Sequence, residues 1–287
     1  MFSRHSSSVL SLFSIVFLLF SSTSFAEQPS TPKVAQRVVS LSPGTTELAY
    51  SAGLGDKLVG ASEYSDYPPE AKDIERVANY QGIKLERILA LQPDLVLALG
   101  VKGTSREIQQ LEAFGIPVYY SNINKLDNIP KAITELSQWA EDPSIGAKNA
   151  DEFTHTLEQL RRSHQSQKPI RYFYQVSQKP LMSVTAPNWP TDIFTVCGGE
   201  NIIANQAIAY PQVGIEQIVA LAPEVMFSSH DESMQTIWKK WPQIPAIKND
   251  HVWSLNPDWI SRPTMRSLKS VQQVCDYFDK YRNKQTN

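Results

Sequence analysis

Short apolar runs alternate along this chain with segments whose apolar residues recur at helical spacing. Val38-Val39-Ser40-Leu41 reads as a short buried strand. Ser42 and Pro43 then place a capping residue and a first-turn proline ahead of a helix through Thr46, Glu47, Leu48, Ala49 and Tyr50. Gly53 and Gly55 close that helix, and Leu58-Val59-Gly60 is a second short strand. One pattern then occurs twice. The segment from Glu86 to Leu97 returns as Glu216 to Phe227, with Glu, Ile, Ala, Leu and Pro identical in register. In the first copy Leu85, Ile88 and Leu89 form a helical stripe and Pro93-Asp94 ends the helix before the strand Leu95 to Ala98. In the second, Ile215, Ile218 and Val219, then Pro223-Glu224, then Val225 to Phe227 do the same. A helix around Glu107 to Phe114, closed by Gly115, precedes the strand Pro117 to Tyr120, and Trp238 to Trp241 with Pro245 leads to His251 to Leu255.

This alternation predicts an α/β protein with a parallel sheet covered on both faces, formed once in each of two lobes. The repeat period is too long for a solenoid and suits duplicated lobes. Between them, Leu126 to Gln167 shows only helical pattern: Ile129 to Ala140, a break at Pro143, then Ser144 to Gln165 with Ala147, Phe153, Leu157 and Leu160 on one face. A helix of about 20 residues spans roughly 30 Å, enough to link two lobes. The expected divisions are a segment 1–26, a leader 27–36, an N-terminal lobe 37–142, a connecting helix 143–168 and a C-terminal lobe 169–287. Order is expected to begin at Arg37. Lobes joined by one stiff helix should hinge less than lobes joined by several extended strands.

The first segment changes the picture from fold to compartment. Arg4 and His5 precede an apolar run, and Ser24-Phe25-Ala26 supplies small residues at −3 and −1 of a cleavage site, the pattern of a cleavable signal peptide. Its unbroken apolar stretch is far shorter than a membrane-spanning helix, and no cysteine near the cleavage point offers a lipid anchor. The chain carries 27 basic and 29 acidic residues, with the basic ones scattered, so a nucleic-acid face is not supported. Export also bears on Cys197 and Cys275. An even pair in an oxidising compartment favours a bridge in the second lobe, and two unpaired buried thiols are the alternative.

Catalytic patterns are missing: there is no nucleophile elbow, HExxH, Walker loop or zinc motif, and the histidines show no ligand spacing. Gly53-Leu54-Gly55 imitates a dinucleotide fingerprint but follows a helix and reads as a helix stop. Asp66 and Glu70 read as solvated loop charges. Aromatic residues in loops stand out instead: Tyr64, Tyr67 and Tyr80 in the first lobe, and Trp189, Tyr210 and Trp259 in the second. Loops after parallel strands are where such lobes bind ligands, and rings there can pack on a large flat ligand. Each ring taken alone could equally be a packing residue. Asp258-Trp259-Ile260-Ser261-Arg262 places an acceptor, a ring and a forked donor together, although Asp258 and Arg262 could instead form an ion pair or cap the final helix.

Leu41-Ser42-Pro43 with Thr46-Glu47-Leu48, Tyr64 to Pro69, Leu85 to Ile88, Cys197 to Asn201, Pro211-Gln212-Val213 and Asp258-Trp259 resemble the periplasmic cobalamin (vitamin B12) binding proteins of ABC importers. The resemblance runs in order over essentially the whole chain after residue 26. It implies two Rossmann-like lobes with parallel sheets joined by one long connecting helix, and cobalamin held between them as a transported ligand, without catalysis, resident cofactor or metal. It also implies a periplasmic protein, monomeric when free, that is not embedded in the membrane. Its ligand residues carry over to Tyr64 and to Asp258, Trp259, Ile260, Ser261 and Arg262, with Tyr80 and Tyr210 completing the walls. The family pattern has tryptophan where this chain has Tyr80 and Tyr210, and a further aromatic near Leu99-Gly100, which bears on pocket shape. The same resemblance implies docking of Glu86 and Glu216 onto the permease subunits of an importer driven by its ATPase subunits. The residues agree in part: each glutamate lies off its helix's apolar stripe. Offsetting the helix dipole is the other role open to a first-turn acid. A haem or ferric-siderophore carrier is the alternative within the class, and an exported α/β hydrolase the alternative outside it.

Overall fold

Helices run back between most of the parallel strands of this chain, because a parallel crossover must return the chain to the start of the next strand. The computed structural model describes residues 34–165, 167–229 and 237–286. The export segment 1–26 and most of the leader, residues 27–33, lie outside the described residues. The first sheet contains β1 (Val38–Ser40), β2 (Leu58–Ser62), β3 (Arg76–Asn79), β4 (Gly82–Ile83), β5 (Leu95–Leu99) and β6 (Val118–Ser121), in the order β4-β3-β2-β1-β5-β6. All neighbours are parallel except β3 and β4, which a tight turn at Tyr80 and Gln81 joins as an antiparallel hairpin. The second sheet uses β7 (Ile170–Gln175), then, after the small antiparallel pair β8 (Ser177–Gln178) and β9 (Leu181–Met182), β10 (Gly199–Asn201), β11 (Val225–Ser228) and β12 (Val252–Ser254). Its order is β10-β7-β11-β12, all parallel.

The main helices are α1 (Pro43–Ser51), α2 (Leu85–Ala90), α3 (Arg106–Ala113), α4 (Asn128–Ser137), α5 (Ser144–His164), α6 (Thr191–Val196) and α7 (Ile215–Leu221), and a C-terminal helix runs Ser267–Thr286. Ser42 caps α1 as the sequence implies: its hydroxyl accepts the Thr45 N–H at 3.1 Å, while Thr45 Oγ1 accepts the Ser42 N–H at 3.2 Å.

The duplicated motif is duplicated in structure. Arg37, just ahead of β1, donates Nε to the Leu91 carbonyl at the end of α2, and Arg171 in β7 donates Nη2 to the Leu221 carbonyl at the end of α7. Asp94 accepts the backbone N–H groups of Gln36 and Arg37, and Glu224 accepts that of Arg171. The acid after each proline is therefore a clamp. It pins the helix C-terminus to the N-terminal edge of the sheet, and the glutamate-bearing first turn points back toward the carboxyl edge. Order also starts earlier than Arg37: Ala35 is buried and donates to the Trp139 carbonyl at 2.8 Å, because the Asp94 carboxylate gathers the chain before the strand begins.

Alternation along the strands divides the core. Val39, Val96 and Ile88 pack on one face of the first sheet with Val77 and Leu111, and Phe173, Met226 and Ile218 on one face of the second with Trp238. The opposite faces share a single cluster: Val38, Leu95 and Leu97 of the first sheet and Tyr172, Val225 and Phe227 of the second are continuous through Phe153 and Leu157 of α5. Helix α5 is thus the middle of the core as well as a connector. Polar links reinforce it. Asn149 donates to the Ser51 carbonyl at 2.7 Å, Arg161 grips Asp127 with two 2.7 Å bonds, and the Leu126 N–H reaches Asp192 of α6 at 2.8 Å. Cys197, after α6, is bonded to Cys275 of the C-terminal helix, with both sulfurs in the core.

Candidate functional site

Chain order puts the expected ligand residues at one edge. Tyr64 follows β2 and Tyr80 follows β3, while Asp258 to Arg262 follow β12, so all lie beyond the carboxyl ends of parallel strands. The Tyr64 and Tyr80 side chains are open to solvent, at 73% and 86% exposure, and Leu99, at the end of β5, is exposed as well. Tyr64 adopts φ +63°, a left-handed conformation that costs a non-glycine residue about 1–3 kcal/mol. A buried hydroxyl cluster fixes the loop under it. Ser65 Oγ bonds Ser62 Oγ and Thr46 Oγ1, and the Ser65 carbonyl accepts Arg76 at 2.9 Å.

Between the lobes lies a charge network that sequence reasoning resolved only in part. Glu47 of α1 is buried, at 3% exposure, and its two oxygens receive the Nε and Nη2 of Arg266, the Thr264 hydroxyl at 2.8 Å and Nη1 of Arg262 at 3.2 Å. Arg262 also bonds Asp66 and Asp258, each at 2.9 Å. The Tyr67 ring stacks against the Arg266 guanidinium, 4.1 Å from ring centroid to Cζ. Burial works against the ionised Asp66 carboxylate, but the hydrogen bond and charge of Arg262 outweigh it and hold its pKa below the ordinary value. Asp66 is therefore an interlobe partner rather than the solvated loop charge read from the sequence. Asp258 and Arg262 form an i,i+4 ion pair, one of the roles the sequence leaves open for them beside ligand contact and helix capping. Asn256 caps their short helix, Pro257–Ser261, by accepting the Asp258 N–H at 3.0 Å.

The second lobe supplies a pocket of about 230 Å³, lined by Tyr174, Trp189, Tyr210, Ser229, Ile260 and Ser261 among others. Tyr210 donates its hydroxyl to the Trp189 carbonyl at 2.8 Å, and the Trp189 indole donates to the Ile260 carbonyl at 2.9 Å. Trp189 thus ties the Tyr210 loop to the Asp258–Arg262 segment. The Ile260 side chain is fully buried and contributes packing, whereas Ser261 is exposed. Trp259 is half-buried, with the Lys269 ammonium 5.5 Å from its ring centroid. The Tyr210 phenol is pushed up by burial, and the Tyr174 phenol, which bonds Ser229 at 3.0 Å, is pushed up to about 12 by the same cause.

Glu86 and Glu216 are both exposed in the first turns of α2 and α7. Beside Glu86, Arg87 pairs with Glu75, a contact that the second copy, with Gln217, does not repeat. Tyr67 and Trp189 stand among the loop aromatics of the sequence without an assigned role, and Glu47 and Arg266 are not marked there as site residues. A readable signal is the i,i+4 spacing of Asp258 and Arg262; Arg266 lies beyond Pro263, where the helix has ended, and no spacing announces it.

Among the described residues no three His, Cys, Asp or Glu side chains are grouped to hold a metal ion, and no helix is long and apolar enough to cross a membrane. A family model for periplasmic binding proteins matches residues 38–259. A relative from Vibrio campbellii named vitamin B12-binding protein is 51% identical over 269 residues, covering 93% of this chain and 96% of its own length. The crystal structure of the periplasmic vitamin B12 binding protein BtuF of Vibrio cholerae is 45% identical, with a TM-score of 0.82 over 88% of this chain and 99% of that one. The periplasmic haem-binding protein HutB of Vibrio cholerae, at 18% identity and a TM-score of 0.73 over 85% of this chain and 98% of its own, shares the fold. Two sheets that share a four-strand parallel order, β2-β1-β5-β6 and β10-β7-β11-β12, one bridging helix and these likenesses place the chain in the periplasmic binding protein family.

Proposed function

We propose that this protein captures cobalamin (vitamin B12) in the periplasm, between its two lobes, and delivers it to an ABC importer. It acts by binding and release and carries out no reaction on its ligand. The observation that carries the reading is the exposed rings that both lobes carry in loops after their strands: Tyr64 and Tyr80 in the first, Tyr210 in the second. They belong to a chain whose high-identity relatives are named for vitamin B12. A corrin ring offers a broad face for such side chains and peripheral amides for polar ones. Trp259, Ser261 and the Asp258–Arg262 pair line the approach from the second lobe, with Ile260 as the packed floor.

Delivery falls to Glu86 and Glu216. Both stand in water on the outer helices, at the helix ends turned toward the ligand edge, in matched positions on two lobes. Two matched carboxylates suit basic residues on two permease subunits, which the ATPase subunits then drive. The protein is a monomer when free, and the sequence of residues 1–26 supports its export.

Absorbance titration with cyanocobalamin, haem and a ferric siderophore tests the reading. Saturable binding of cyanocobalamin is expected, and saturable binding of haem alone would overturn it.

A further inference from the structure

We infer that the interlobe bridge is a specificity device: Glu47, Asp66 and Asp258 occupy Arg262 and Arg266, so the cleft selects against ligands that carry free carboxylates. The inference rests on the cobalamin reading and adds to it the charge class that the site refuses. Counting formal charges, three carboxylates surround two guanidinium groups, leaving the cluster one negative charge in excess.

Exposure decides which sign a ligand meets. The Arg262 side chain is only 13% exposed, whereas Asp66 and Asp258 are 46% and 41% exposed. Arg266 is buried further, between Glu47 on one side and the Tyr67 ring on the other. A receptor for acidic ligands would leave its arginine forks open, because a bidentate guanidinium is the preferred partner of a carboxylate. Here the forks are filled by the protein itself, and the acceptor oxygens are what remains outside. Such oxygens accept from amide N–H donors and repel carboxylates, so one surface does both the attracting and the rejecting that discrimination requires. Both lobes contribute, Glu47 and Asp66 from the first and Asp258, Arg262 and Arg266 from the second, so the selection exists only while the lobes are docked.

The test compares two ligands of nearly identical shape: cyanocobalamin, and its monocarboxylic acid in which one peripheral propionamide is hydrolysed. Calorimetric titration at neutral pH and low salt should show the unaltered protein preferring the amide by roughly fivefold, an advantage that shrinks in high salt. Asp66→Asn, a change at an exposed site, should reduce that ratio severalfold, and Glu47→Gln should do the same. The quantity read is the ratio of the two affinities, which a loss of general stability does not change in sign; thermal melting confirms that each variant is folded. Where Glu47→Gln does not fold, Asp66→Asn decides alone. Equal affinities for the two ligands in the unaltered protein would overturn the inference, and so would an unchanged ratio in the folded variants. Failure of the unaltered protein to bind cyanocobalamin at all would instead sink the cobalamin reading, and this inference with it.

Discussion

Glu47 on the first helix and Arg266 just ahead of the last one form a two-point ion pair that joins the lobes, buried on both sides. Removing one member of a buried pair strands its partner, at a cost of about 3–5 kcal/mol. Glu47→Ala should therefore lower unfolding free energy by about 3 kcal/mol. The double change with Arg266→Met should cost less than the two single changes added together. Urea denaturation of the four proteins measures this coupling, and simple additivity would show that the pair does not act as a unit.

Tyr210→Phe removes one hydroxyl, the donor to the Trp189 carbonyl. Loss of one such bond costs about 0.5–1.5 kcal/mol of folding stability, and the freed Tyr210 ring should also weaken cyanocobalamin binding severalfold. Trp189→Phe interrupts the same link to Ile260, and combining the two should add little. Full additivity in the titration would mean that the two residues serve the ligand separately.

Charge reversal at both Glu86 and Glu216 should abolish stimulation of importer ATP hydrolysis and leave cyanocobalamin affinity within about twofold, since exposed substitutions away from the cleft change stability by only about 0.5 kcal/mol. Reconstituted importer in lipid supplies the readout. A parallel loss of ligand affinity would speak against a docking role.

His251 is buried beside Trp253 and Tyr281, with ring centroids 5.6 and 5.0 Å away. Desolvation, helped by the nearby Lys284 charge, pulls its pKa below the ordinary 6.5, against smaller opposing effects from the Glu224 backbone and Asp250. The unfolded chain therefore takes up this proton more readily than the folded one. Stability from His251 is complete above pH 6.5 and declines as pH falls below it toward the folded-state pKa. Urea midpoints from pH 7.5 to 5 should fall in the native protein and fall less in His251→Phe. Parallel curves would assign the pH dependence to other groups.

The Cys197–Cys275 bond closes a separation of 78 residues and ties α6 to the C-terminal helix. Cys197→Ala with Cys275→Ala should cost about 4 kcal/mol on loop-entropy grounds. A denaturation midpoint unmoved by reducing agent would show that the core alone holds these helices.

The periodic parts of this fold were legible in the sequence. Paired strands and helices of the repeat, the Ser42 cap and the long helix Ser144–His164 all lie where apolar spacing and turn residues place them. Less legible was β7, where Arg171 precedes an unbroken run of three aromatic residues, Tyr172 to Tyr174, and no alternation marks a strand, although it is central to its sheet. The exposed tyrosines could be placed because loops after parallel strands share one edge. Glu47 could not, because its meaning depends on Arg262 and Arg266, more than 200 positions away. An acid within a run of buried helical positions announces that it needs a partner, but not which one.

The hydrophobic cluster threading both sheets through Phe153 and Leu157 makes the protein a calliper. It sets one separation between Glu86 and Glu216, and prising the lobes apart would expose part of a common interior. A ligand has little leverage on such a frame. If Glu86 and Glu216 dock the importer as proposed, empty and loaded molecules should present nearly the same gauge to it. Vacant receptor in excess would compete with the cargo-bearing form, so uptake should depend on the stoichiometry of vitamin to receptor as much as on either affinity.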